Sequence, residues 1–253
     1  MDNRESLLLA CCVHPQWHDI LNQALAQIDK AYLDQLLKDD AWLPGVGLLF
    51  NAFRRDRQGV KYLLIGESPY PRRESANGIA FYDAAVGELW SDKGMSTAVN
   101  RATSMRNIIK TALLAEGHLS RDSEGKIGQQ LIAAADKQAL VQTMEELFAN
   151  LQRAGFLMLN ATPVLHPGRK PAQEAVYWQG FLQQLLASLA EQAESRITLV
   201  LWGKIAEALL AMPASGDYDK LVCEHPYNIS FIDNPAMLQL FAELRLLQKS
   251  PGI

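Results

Sequence analysis

The sequence predicts an α/β protein with three layers, α/β/α, around a central four-stranded parallel sheet. Two observations carry the prediction. Four short apolar runs, each stopped by Gly, Asn or a Glu-His pair, are nearly unbroken rather than alternating, as in strands covered on both faces. Helical patterns lie between them, and strands that alternate with helices build layered α/β folds.

In chain order, residues 17–37 read as one or two helices, followed by a turn at Leu43-Pro44-Gly45. The first strand is Val60-Lys61-Tyr62-Leu63-Leu64-Ile65, before Gly66. Residues 104–115 put apolar side chains at 105, 108, 109, 112 and 113, which is one helix face. Residues 116–130 read as a polar loop inside this long crossover, and 136–151 as the next helix. The second strand is Gly155-Phe156-Leu157-Met158-Leu159, before Asn160, and a helix over 172–193 follows it. The third strand is Ile197-Thr198-Leu199-Val200-Leu201-Trp202, with a helix over 203–211. Lys220-Leu221-Val222-Cys223 is the fourth, before Glu224 and His225, and a helix over 236–247 follows. No repeat or linker divides the chain. The expectation is one domain over 1–253, with 1–43 as a helical extension packed on it.

The 253 residues carry 24 Lys and Arg against 28 Asp and Glu, a net charge of −4, so any nucleic-acid binding must come from local patches. Three cysteines exclude a disulfide framework and a four-thiolate zinc or iron–sulfur site, and they suit a reducing compartment. The apolar run at 7–13 has the look of a lipoprotein signal, but Asp2 and Glu5 stand where a signal needs positive charge. No stretch approaches the ~18 apolar residues of a membrane span. The expectation is a cytoplasmic monomer with no membrane association, no metal and no cofactor.

Open parallel sheets bind ligands beyond the carboxyl ends of their strands. Those ends carry Gly66-Glu67-Ser68-Pro69-Tyr70, Asn160, Trp202-Gly203 and His225-Pro226. Gly66-Glu67-Ser68-Pro69-Tyr70-Pro71 followed by Ala76-Asn77-Gly78-Ile79-Ala80-Phe81 resembles the G-Q-D-P-Y-H and A-H-G-L-x-F motif of family 1 uracil-DNA glycosylases. Pro44 with Leu49-Phe50-Asn51-Ala52-Phe53 is similar to that family's P…IFxAF segment. Ser104-Met105-Arg106-Asn107-Ile108-Ile109-Lys110 resembles S-L-x-N-I-x-K. Leu157-Met158-Leu159-Asn160-Ala161 resembles L-L-L-N-x, with Trp178 and Phe181 following at the family's distance. Leu201-Trp202-Gly203 with Ala206 is similar to L-W-G-x-x-A, and His225-Pro226 with Ser230 to H-P-S-P-L-S. Six fragments in order over roughly residues 44–240 mark a divergent member of the uracil-DNA glycosylase superfamily.

The departures are as specific. The water-activating aspartate falls on Ser68, its neighbouring glutamine on Glu67, and the histidine after the tyrosine on Pro71. The G-F-F-G element that follows the last motif is absent. Gly-Glu-Ser-Pro leans toward the G-E-A-P-G of a thermophilic branch, whose four-cysteine cluster three cysteines cannot supply.

The resemblance implies hydrolysis of the N-glycosidic bond of uracil, or a related damaged base, in DNA. Asn160 would read the base edge, since an amide can accept from N3–H and donate to O4. Phe81 would stack on the flipped base, Tyr70 would exclude the thymine methyl, and His225 would donate to O2. Ser68 or Glu67 would handle the water. Arg72, Arg73, Arg169 and Lys170, at one rim, would meet phosphates, as would Lys204 after Trp202-Gly203, and Ile229 would stand at the position of the inserted leucine. Two alternatives stay open. One is a catalytically weak or silent member that binds nucleic acid or a protein. The other is an enzyme acting on another base or a free nucleoside. The expected partner is DNA, single-stranded or damaged duplex, because such bases cost least to flip.

Overall fold

The computed structural model describes residues 3–249. Asp2, and the last four residues of the expected 1–253 domain, lie outside them. The strands are β1 (Tyr62–Gly66), β2 (Trp90–Ser91), β3 (Gly94–Met95), β4 (Phe156–Asn160), β5 (Thr198–Trp202) and β6 (Asp219–Cys223). The α-helices are α1 (Asn3–Ala10), α2 (His18–Leu25), α3 (Lys30–Leu36), α4 (Thr97–Arg101), α5 (Thr103–Ala115), α6 (Gln129–Ala134), α7 (Met144–Arg153), α8 (Pro171–Glu191), α9 (Ile205–Leu210) and α10 (Pro235–Leu244). The residues fall into two compact units. The first runs up to Asp83 and resumes at Gly155–Val222; the second is Ala84–Ala154 with the chain from Cys223 on. Each draws on two separated segments, so no linker composition marks a boundary.

In the first unit β1, β4, β5 and β6 form the predicted four-stranded parallel sheet, in the order β4-β1-β5-β6. Leu63 faces Leu157 on one side and Leu199 on the other, and Gly66 faces Asn160. Successive side chains point to opposite sheet faces. Leu63 and Ile65 enter one core, and Leu64, on the other face, is buried as well, which explains the unbroken apolarity of the run. β6 differs. As an edge strand it exposes Asp219, Lys220 and Val222, and charge on an edge discourages pairing with another chain.

The N-terminal helices are built into this core. Leu8, Trp17, Ile20 and Leu25 are buried in the same cluster as Leu63, Trp178 and Leu185. The apolar run at 7–13 thus supplies packing: Leu7, Leu8, Cys11 and Val13 are all buried.

In the second unit, the helix expected over 136–151 starts only at Met144. Thr143 caps it, exchanging hydrogen bonds with Glu146 in a capping box. Ahead of it Asp136 accepts the Gln138 N–H at 2.9 Å in a turn, and Leu140 bridges to Gln248. The helix expected to reach 247 ends at Leu244, where Arg245 turns left-handed with φ 51°. Leu246 and Leu247 are nonetheless buried, which is why the apolar pattern outruns the helix.

Leu199 is fully buried on the strand that flanks β1. Replacing it with Ala should cost about 2–5 kcal/mol, through lost burial and an unfilled cavity. Urea unfolding would show this as a lower midpoint at unchanged slope. A loss within about 0.5 kcal/mol, the size of a surface substitution, would contradict its place in the core.

Candidate active site

The candidate site grows from the carboxyl end of β1. The ladder between β1 and β4 ends at Gly66 and Asn160, and hydrogen bonds carry it on for two residues. The Ala161 N–H donates to the Gly66 carbonyl at 2.8 Å, and the Thr162 N–H to the Glu67 carbonyl at 3.0 Å. A Cβ at Gly66 would lie 3.1 Å from Asn160 Oδ1 and 3.5 Å from Phe81 Cε2. The amide and the ring edge therefore both come close over a residue with no side chain, where even a Cβ would press on the amide oxygen.

Phe81 is brought there by the turn before it. The Asn51 amide donates to the Asn77 carbonyl at 2.8 Å, and Asn77 Oδ1 accepts the Ile79 N–H at 2.9 Å. Gly78 has φ +81°, and a Cβ on it would fall 1.9 Å from the Leu48 carbonyl oxygen, so only glycine lets the turn sit this close. Phe81 itself has φ 64°, a costly conformation for a bulky residue. Its half-buried ring stands edge-on to buried Trp202, with centroids 4.9 Å apart.

Tyr70 Oη donates to the Phe81 carbonyl at 3.4 Å. Burial, together with the Asp83 carboxylate alongside, pushes the phenol up to about 12 against the opposing pull of Arg72. Ser68 is half-buried, its hydroxyl 3.5 Å from the Pro69 carbonyl oxygen, and Glu67 is exposed.

Three of the expected phosphate-binding cations also hold the loops. Arg72 pairs with buried Asp83 at 3.2 Å. Arg73 donates to the Asp40 carbonyl at 3.0 Å. Arg169 pairs at 3.0 Å with Glu174, a fully buried carboxylate that also accepts from the Tyr32 hydroxyl at 2.9 Å and lies 2.6 Å from His166 Nδ1. Lys170 is exposed at the start of α8. Sequence reasoning passed over Asp83 and Glu174 because a lone acid with no motif around it reads as surface; only burial reveals them.

In the second unit the His225 loop is ordered locally. His225 Nδ1 accepts the Tyr227 N–H at 3.1 Å, so a neutral imidazole carries its proton on Nε2 and is a donor there. Pro226 is buried, whereas Tyr227 and Ile229 stand 67% and 69% exposed. Asn107 of α5 braces this loop. Its amide is buried and donates to the carbonyls of Pro226, Tyr227 and Asn228 at 2.8, 3.5 and 3.3 Å.

No protein-family model matches the chain. Among curated proteins, the uracil-DNA glycosylase of Corynebacterium glutamicum is 26% identical over 230 residues, covering 86% of this chain and 81% of the relative. Among solved structures, the wild-type UNG of Nitratifractor salsuginis aligns at 36% identity with a TM-score of 0.91, covering 97% of each chain. The chain belongs to the uracil-DNA glycosylase superfamily. Mimivirus uracil-DNA glycosylase, at 19% identity and a TM-score of 0.56 over 87% of this chain and 71% of its own, shares the fold. The superfamily assignment carries with it the α/β/α class predicted from the strand runs.

Asn107→Ala should free the 226–228 carbonyls and loosen that loop. Hydrogen exchange or limited proteolysis confined to 224–230 should rise, at a cost of about 1–3 kcal/mol for partners left without a donor. Unchanged protection across those residues would remove Asn107 as their support.

Proposed function

We propose that the protein is a DNA glycosylase that hydrolyses the N-glycosidic bond of uracil, or a related damaged base, in base excision repair. The observation that carries this reading is the meeting of the Asn160 amide and the Phe81 ring over Gly66, in a chain of this superfamily. In this reading both compact units serve one catalytic domain, a cytoplasmic monomer without metal or cofactor.

The bond is out of reach inside a duplex, so the nucleotide is flipped into the pocket. Asn160 reads N3–H and O4, a pattern cytosine does not present. Phe81, backed by Trp202, stacks on the base; such stacking is worth roughly 1–3 kcal/mol. Tyr70 stands against C5. His225 donates through Nε2 to O2, and this bond strengthens as the departing uracil gains negative charge. Ser68 holds the attacking water but cannot take its proton, and the missing base costs about 10²–10⁴-fold. Glu67 is the other candidate to receive that proton. Arg72, Arg73, Arg169 and Lys170 meet phosphates, and the exposed Ile229 enters the base stack, with single strands and damaged pairs preferred. Ser68 also motivates the second reading, a silent member that binds nucleic acid without excision.

A single-turnover assay on a single-stranded oligonucleotide with one uracil tests both. Slow release of uracil is expected, reduced by about 10²-fold or more in Asn160→Ala, the scale of losing one pre-organised partner. Ser68→Asp should accelerate it, and loss of activity in Glu67→Gln would identify that carboxylate as the base. No abasic product from any variant, Ser68→Asp included, would sink the glycosylase reading and leave the binding one.

Binding of the same oligonucleotide should weaken with salt, by a log–log slope of about −0.7 per phosphate contact on a single strand. Lys170→Ala should flatten that slope by about one such unit. An unchanged slope would take Lys170 off the strand.

A further inference from the structure

Two segments frame the candidate pocket, 69–73 and 79–83, and two rungs tie them together. The first is the hydrogen bond from Tyr70 Oη to the Phe81 carbonyl, at 3.4 Å. The second lies two residues further along both segments, where Arg72 Nη2 meets Asp83 Oδ2 at 3.2 Å. The Asp83 side chain is 6% exposed and that of Arg72 57%, so a guanidinium reaching in from solvent covers a buried carboxylate.

The rungs are unequal. The Tyr70 bond is at the long limit for a hydroxyl donor, whereas the Arg72–Asp83 contact joins two full charges. Phe81 adds strain between them, because its left-handed backbone persists only while its surroundings hold it. Of these two contacts the outer rung is therefore the stronger tie between the segments that carry Tyr70 and Phe81. Neither Arg72 nor Asp83 is a letter of the motifs matched above.

We propose that Asp83, paired with Arg72, is a specificity-positioning residue: it fixes the gap between Tyr70 and Phe81 and so sets which substituents at pyrimidine C5 the pocket admits. The proposal rests on the uracil reading and goes further, to the residue that enforces the exclusion. Without Asp83 the 79–83 segment relaxes, Tyr70 loses its fixed acceptor and a methyl-sized group gains entry. A residue that merely stabilised the loop would slow excision of every base alike.

The test is single-turnover excision from single-stranded oligonucleotides bearing one uracil or one 5-bromouracil. Bromine approximates the methyl group in size, and its electronic effect on the leaving base is common to every variant. Changes in the ratio of the two rates therefore report the pocket. In Asp83→Ala and Arg72→Ala the bromouracil-to-uracil ratio should rise about 10-fold, within the 10–200-fold that one methyl-sized group is worth in a pocket. Asp83→Glu should return it toward the wild-type ratio. If Asp83→Ala melts before assay, Arg72→Ala carries the test, since its side chain is mostly in solvent. An active wild type with both rates lowered equally in the variants overturns the positioning role and leaves the glycosylase reading intact. A wild type that releases neither base overturns the glycosylase reading, and this proposal with it.

Discussion

The register of β1 against β4 is the constraint on which the candidate site depends. It sets Gly66 opposite Asn160, and the Ala161 and Thr162 N–H groups extend the ladder into the loops beyond. A slip of one residue would bring Glu67 opposite Asn160 and turn each strand side chain to the other face. Buried leucines on both faces of β1 forbid that slip, because Leu63, Leu64 and Ile65 would all leave their packing. The core thus fixes which side chain stands at the strand end. The missing side chain of Gly66 then decides what gathers above it.

Two of the loops that leave the strand ends are tied by buried charge. Asp83 and Glu174 are carboxylates buried in the first unit, and each is met by an arginine reaching in from solvent, Arg72 and Arg169. A buried carboxylate without such a partner would be strongly destabilising, so these pairs fix loop geometry more than they add stability. The arrangement leaves part of each guanidinium outside: both side chains are more than half exposed. A chain with net charge −4 can present cations in this way without a basic surface overall. The same arginines that would contact phosphates also report, through Asp83 and Glu174, on whether their loops are in place.

Much of this is legible in the sequence. The four strands fall where the apolar runs put them: the three that are buried on both faces have no polar alternation to confuse the reading, and the exposed edge strand β6 still shows as a short run. Strand ends in such sheets carry ligands, which directs attention to Gly66, Asn160 and His225 without further information. Helix ends were less legible. The 136–151 pattern hid the Thr143 cap, and the leucines at 246 and 247 pack without being helical. Burial of single polar residues could not be read at all. Asn107 sits inside a helix motif with no visible partner, because the carbonyls it serves lie more than a hundred residues away in sequence. Asp83 was hidden for the same reason at shorter range, since its value comes from Arg72 eleven residues earlier and from its own burial.

Replacing the motif aspartate by Ser68 divides the proposed reaction into a half the site retains and a half it has lost. The residues proposed to bind the leaving base, Asn160 and Phe81 in the first unit and, in the second, a His225 whose Nδ1 accepts the Tyr227 N–H, are all kept. Glu67 cannot restore the other half by charge alone while it faces water. Two unit charges 4 Å apart are worth about 1 kcal/mol at the dielectric of bulk water, against about 4 kcal/mol at the effective value of a protein surface site. A carboxylate in solvent therefore gives a developing oxocarbenium ion little stabilisation. The rate then rests on the departing uracil anion, whose charge forms beside pre-organised donors rather than in bulk water. Bond breaking of this kind responds to how well the base leaves more than to how strongly the water is activated. On the proposed reading the residues that grip the base would then set the rate, and Asp83 and Arg72 behind two of them the choice of base.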